Sequence, residues 1–186
     1  MASDLRRADI PRLMAEADAI AAAAQREFGT LTSAQWNWKP DRSEWSIGQC
    51  FDHLSTSAYF PTLRAIQTRT KRATLWERLP ILPALSARLL LHALDPDAGR
   101  KVKAPAILTP SASAIDRDLL QRFVDVQREL VAFMAATPHE ALTINVTSPV
   151  KPVITYSLLD AYRIAVVHAQ LHTRQARAVA ATPGFP

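Results

Sequence analysis

Apolar residues return every three to four positions along four long stretches of this chain, separated by polar or proline-rich intervals, and that pattern predicts four helices. The first runs from Ser3 to Phe28, with Leu13, Ala17, Ile20, Ala24 and Phe28 at helical spacing and Gly29 and Thr30 closing it. The second starts near Ser46, where Gln49 three residues on completes a capping-box pattern. It continues through Phe51, His53, Leu54 and Tyr59 towards Arg69, bending at Pro61. The third begins after Ser111 or Ser113, carries Leu119, Leu120, Phe123, Val126, Leu130 and Phe133, and stops at Pro138. The fourth spans Tyr156 to Ala181 and ends at Pro183 and Gly184. Between the second and third, Ala73 to Pro110 forms a long connection, with a short apolar helix (Leu79 to Leu94) and a Pro/Lys-rich loop from Lys101 to Pro110. Leu142 to Val146 alternates weakly, as a short extended piece would. Four long helices with the longest connection in the middle predict an all-α four-helix bundle with a crossover between helices 2 and 3. No internal repeat and no linker divides the chain, so residues 1–186 read as one domain.

Composition sharpens this. Only 4 glycines accompany a high alanine content, which favours helices, and the 13 prolines cluster between the helical stretches. The net charge is +5, but the arginines are scattered over several helices without interleaved aromatics, so a nucleic-acid surface is not expected. The single cysteine, Cys50, excludes an internal disulfide and suits a reducing cytoplasm. The first ten residues mix acids with arginines and lack an apolar core, so no signal peptide is read there. Leu79 to Leu94 is too short to span a membrane and is broken by Pro83, Arg88 and His92. It reads as a helix packed on the bundle. An interfacial membrane helix is its second reading, supported by Arg64, Arg69, Lys71, Arg72 and Arg78 upstream. That reading ranks lower because such helices carry basic residues on their own polar face.

The chemistry concentrates in the fourth helix. On a wheel advancing about 100° per residue, Ala161, Ala165, His172, Gln175 and Val179 lie within roughly 60° of His168. Arg163, Gln170, Arg174 and Arg177 lie on the far side, which should face solvent. Two inward imidazoles four residues apart can bond to backbone or hydroxyl groups in a core, or converge on one divalent ion. Three other histidines are candidates for a third ligand. His139 follows Pro138 in a loop and reads as solvent-facing; His92 ends the apolar segment. His53 shares a helix face with Gln49, Cys50, Ser57 and Phe60, which suits a pocket wall as well as it suits solvent.

The run Trp45 to Leu54 (WSIGQCFDHL) resembles the signature of the DinB-like, or YfiT-type, metalloenzyme family, in which a Trp-Ser pair opens a helix and a His-Leu pair closes its second turn. His168 to Gln175 (HAQLHTRQ) is similar to that family's second signature, two histidines four apart followed three residues later by glutamine. The segment from Lys103, Ala104 and Pro105 to Pro110 also resembles a lysine/proline stretch of many members. The resemblance implies an up-down-down-up bundle, often homodimeric, with a divalent ion at one end held by His53, His168 and His172. Its members include thiol S-transferases that use bacillithiol or mycothiol, and a mycothiol-dependent maleylpyruvate isomerase. Three histidines suit an open Zn2+ or Ni2+ site and a small-molecule substrate, with a low-molecular-weight thiol as one candidate.

Around these ligands the expectations are plainer. Ala169 follows His168, so the metalloprotease glutamate is missing. Gln175 is expected to hydrogen-bond a ligand, water or substrate, or a buried backbone group. Cys50 reads as core rather than as a fourth ligand, and Asp52 as facing solvent. Trp36, Trp38 and Trp45 are expected to pack the loop against the bundle.

Overall fold

The computed structural model describes residues 5–56, 75–78, 81–95, 110, 114–148, 151 and 153–186. Among them six α-helices form: α1 (Ile10–Phe28), α2 (Ser33–Asn37), α3 (Ile47–Thr56), α4 (Leu82–Ala93), α5 (Asp118–Ala136) and α6 (Leu158–Ala180). A single antiparallel hairpin, β1 (Asn145–Thr147) with β2 (Thr155–Ser157), pairs Val146 with Tyr156 just ahead of α6. The all-α expectation holds. No helix among the described residues is long and apolar enough to cross a membrane.

Local chemistry sets where the helices start. Asp9 caps α1 by accepting from the Arg12 N–H (3.1 Å), and Pro11 sits in its first turn, where its missing N–H costs nothing. The helix therefore begins at Ile10, after a 3-10 turn at Leu5–Arg7, rather than at Ser3, which lies outside the described residues. Ser157 caps α6 through the Asp160 N–H (3.0 Å) while Tyr156 is drawn into β2, so the last helix starts two residues later than its periodicity suggested. The expected loop after α1 contains a helix of its own, α2, because Thr32 and Gln35 form a reciprocal capping box. The extended piece expected at Leu142 to Val146 is shifted: Leu142 belongs to a 3-10 turn and the strand starts at Asn145. The continuation of the second long helix through Tyr59, Pro61 and Arg69 lies outside the described residues, as do Ser111, Ser113 and most of the loop from Lys101 to Pro110. α5 begins at Asp118, where Asp116 Oδ1 accepts the Asp118 N–H.

The long-range contacts fix the helix directions. Along α1 and α6, Arg163 donates to Ala8 O, Gln170 to Glu16 and Arg177 to Glu27, in the same order on both helices, so these two run parallel. Arg117 at the start of α5 donates to Gly29 O at the end of α1, and Thr137 at the end of α5 meets Tyr162 at the start of α6 (2.7 Å). α5 is thus antiparallel to both. In α3, Trp45 just before the helix lies on His172 while His53 lies on His168, which makes α3 antiparallel to α6. The order is up-down-down-up. The parallel pair α3 and α5 is what the long crossover must connect. α6 is more enclosed than its wheel implied: Arg163 and Gln170 are half-buried against α1, and Arg174 and Arg177 stay exposed.

Aromatic rings pack the layer beside α3. Phe51 contacts Phe28 (5.5 Å between centroids), Trp36 (5.4 Å, stacked) and Phe123 (4.9 Å). Gly48 permits the Trp36 contact, because a Cβ there would sit 2.6 Å from the indole nitrogen and 3.0 Å from Ile115 Cβ. Ile115 is fixed in turn by Asn37, which bonds both of its backbone groups. Gly48→Ala is therefore expected to destabilise the fold by about 1–3 kcal/mol through overpacking, although alanine is the better helix former. Chemical denaturation of the variant checks this; an unchanged midpoint would mean that the indole moves at no cost.

Candidate metal centre

α3 is anchored at its first turn. Gln49 N–H donates to Ser46 Oγ (3.1 Å) and Ser46 N–H donates to Gln49 Oε1 (3.2 Å), the capping box expected from the sequence. With that register set, Gln49, Cys50 and His53 all turn inward. The face the sequence left open between pocket and solvent is a buried one.

Three histidines meet there. His53, His168 and His172 are all buried, and each offers a nitrogen within 4.8 Å of the others. His53 Nε2 and His168 Nε2 are 3.0 Å apart across 115 positions of sequence. The ring centroids stand 4.9 Å (His53–His168), 4.5 Å (His53–His172) and 4.7 Å (His168–His172) apart, each pair edge-on. Four-residue spacing on α6 supplies two rings, and the antiparallel α3 brings the third between them.

Their protonation suits a cation. Burial, and then the neighbouring imidazoles, hold His168 well below its ordinary value. Burial and His53 push His172 down to about 3, although its bond to Gln175 works the other way. Both are neutral at physiological pH, with lone pairs available. His172 Nδ1 lies 2.9 Å from Gln175 Oε1. A carboxamide oxygen only accepts, so Nδ1 carries the proton and Nε2 is left as the donor atom. Nitrogen ligands at about 2.0–2.1 Å in a tetrahedral arrangement stand roughly 3.3 Å from one another, a separation bracketed by the 3.0 Å between His53 and His168 and the 4.8 Å that bounds the group. The residues fit the group.

The other candidates are elsewhere. His92 and His139 are exposed. Cys50 is fully buried, packed in the core, and burial raises its thiol far above the ordinary range, which keeps it protonated; it is not one of the three converging groups. Asp52 is partly buried rather than open to solvent. Trp36 and Trp38 pack as expected, on Phe51 and Phe185. Trp45 does something else. Its half-buried indole stacks on His172 (5.5 Å, 19°) and lies 5.1 Å from His53, covering the site. Its place one residue before the Ser46 cap was the signal, since that position overhangs the first turns of the helix face that carries His53.

The neutral histidines make the metal-free fold acid-sensitive. In the unfolded chain each takes up a proton near 6.5, whereas in the folded chain His172 resists it down to about 3. Below the unfolded value the unfolded state binds more protons. Stability is expected to fall as pH drops, by up to about 1.4 kcal/mol per pH unit for each such histidine. Thermal unfolding of metal-free protein at about pH 7 and about pH 5 reads this directly. His172→Gln should flatten the dependence, and equal melting temperatures in the wild type would contradict the neutral assignment.

An up-down-down-up bundle with three buried imidazoles converging from two helices defines a helical protein whose interior can hold a metal ion. The family model described as the DinB superfamily matches residues 16–176, an interval that includes all three histidines and Gln175, and the chain belongs to that superfamily. No curated protein and no solved structure matches it.

Proposed function

We propose that this protein is a divalent-metal enzyme acting on a small molecule, by thiol S-transfer or by hydrolysis, with Zn2+ or Ni2+ held by His53, His168 and His172. The observation that carries the reading is the convergence of three buried nitrogens from distant parts of the chain, joined by no fourth His, Cys, Asp or Glu among the described residues. An ion on three neutral ligands keeps its full charge and supplies Lewis acidity that stabilises an anionic nucleophile, hydroxide or thiolate. The chain's own residues provide the frame: α3 and α6 fix the rings, and Gln175 orients His172. A substrate contact by Gln175 would run through its amide nitrogen, because its oxygen is engaged by His172. A low-molecular-weight thiol as co-substrate and a homodimeric assembly complete the proposal.

A second reading, a non-catalytic module with a structural ion, is favoured by one observation: the Trp45 indole lies over two of the three rings. Co2+-substituted protein separates the two. Adding a small thiol or azide should change the d–d spectrum if a coordination position is exchangeable. A spectrum unmoved at saturating ligand supports the structural ion, and absence of stoichiometric metal defeats both readings.

A further inference from the structure

The apolar helix α4 is only half covered. Pro83, Ala87 and Leu91 are buried against the protein. Ile81, Leu85 and Leu89, spaced four apart along the outer side, are 75%, 50% and 60% exposed. Leu75 and Trp76, in the turn before α4, are also exposed. Apart from Val153, these five are all the exposed large apolar residues among the described ones. A helix packed on a bundle ordinarily turns its polar face outward; this one turns a leucine-isoleucine row outward.

Charge collects in the same part of the chain. Residues 64–103 hold nine Lys/Arg against three Asp/Glu, whereas the remainder holds 13 against 14. The whole positive excess therefore belongs to one stretch. Of its acids, Glu77 is turned inward to accept from Thr147 Oγ1 (2.5 Å), and Asp95 is paired with Arg6 (2.9 Å). Arg78 and Arg88 are exposed, and among the described residues no ion pair engages either. Arg88 falls on the wheel close to Ile81, so cation and apolar row share a face.

We propose that the outer face of α4 docks on an anionic lipid surface, with Trp76, Ile81, Leu85 and Leu89 entering the headgroup boundary and Arg78 and Arg88 meeting lipid phosphates. Apolar side chains beside cations are what such a surface recognises. A second copy of the chain fits less well, because a symmetric contact would bring two strongly positive stretches together. Nucleic acid would leave the apolar row without a partner. The inward face, taken by the bundle, explains why the helix does not carry a basic face of its own, which was the ground for ranking this reading second from sequence.

The test is flotation of the full-length protein with vesicles of phosphatidylcholine alone or mixed with phosphatidylglycerol, at about 50 mM and about 500 mM salt. Binding is expected to the anionic vesicles and to weaken at high salt. Arg78→Gln and Arg88→Gln should each weaken it about fivefold. Ile81→Ser/Leu85→Ser/Leu89→Ser should reduce it at least roughly tenfold, with circular dichroism confirming that these exposed changes leave the fold intact. Arg122→Gln, exposed on α5, should leave binding unchanged. Failure to float with anionic vesicles overturns the proposal, as does equal, salt-insensitive binding to neutral ones. A triple variant that turns a dimer into a monomer without altering flotation would assign the face to a second copy instead.

Discussion

His168→Ala and His172→Ala are each expected to abolish stoichiometric metal binding, while Arg174→Ala leaves it intact. The three nitrogens lie within 4.8 Å of one another and are buried, and among the described residues no further His, Cys, Asp or Glu joins the group that would have to replace a lost ring. Structural zinc sites in zinc-finger peptides gather about 10–16 kcal/mol from four protein ligands, which sets the scale of one ligand at roughly 3 kcal/mol, or about 10²–10³-fold in affinity. His53→Ala should behave alike despite its distance in sequence. Arg174 is exposed on the far side of α6 and is not one of the converging groups. Gln175→Leu should weaken affinity by about 10–100-fold without lowering the stoichiometry at saturation, because it frees the His172 tautomer but removes no ligand. Competition titration with a chromophoric chelator measures all five. Equal metal content in the three histidine variants and the wild type would place the ion elsewhere.

Phe51→Ala is expected to be the most damaging single truncation of the core, by about 3–5 kcal/mol. Its ring is fully buried and touches Phe28, Trp36 and Phe123, so it joins α1, the α2 segment, α3 and α5 in one layer. Deletion leaves a cavity that three rigid aromatic rings cannot collapse into. Domains of this size are stable by only about 5–15 kcal/mol, so the loss is a large share of the total. Phe185→Ala, which truncates a partly buried ring in edge contact with Trp38 near the C-terminus, should cost much less. Denaturant midpoints at constant slope distinguish the two, and equal losses would show that the aromatic layer is not a shared joint.

The places of α1, α3, α5 and α6, the Ser46 cap of α3 and the inward pair on the last helix were legible along the chain, because capping and helical periodicity act over a few residues. Ser46 with Gln49 and the spacing of His168 and His172 are such short-range statements, and both hold. Helix ends were less legible where two local structures competed: Tyr156 has the periodicity of α6 but pairs with Val146 in the hairpin. The third ligand was of another kind. His53 occupies a face of small and polar residues that periodicity could not assign, and a resemblance of motifs, rather than the pattern itself, pointed to it. Only the antiparallel packing of α3 on α6 brings its Nε2 to 3.0 Å from His168. Trp45 over the site and the outward leucine row of α4 are likewise set by which neighbours the bundle supplies. Local pattern determines what each helix can bury, whereas contacts across 115 positions depend on how the helices are arranged about one another, and that is decided only when the whole core packs.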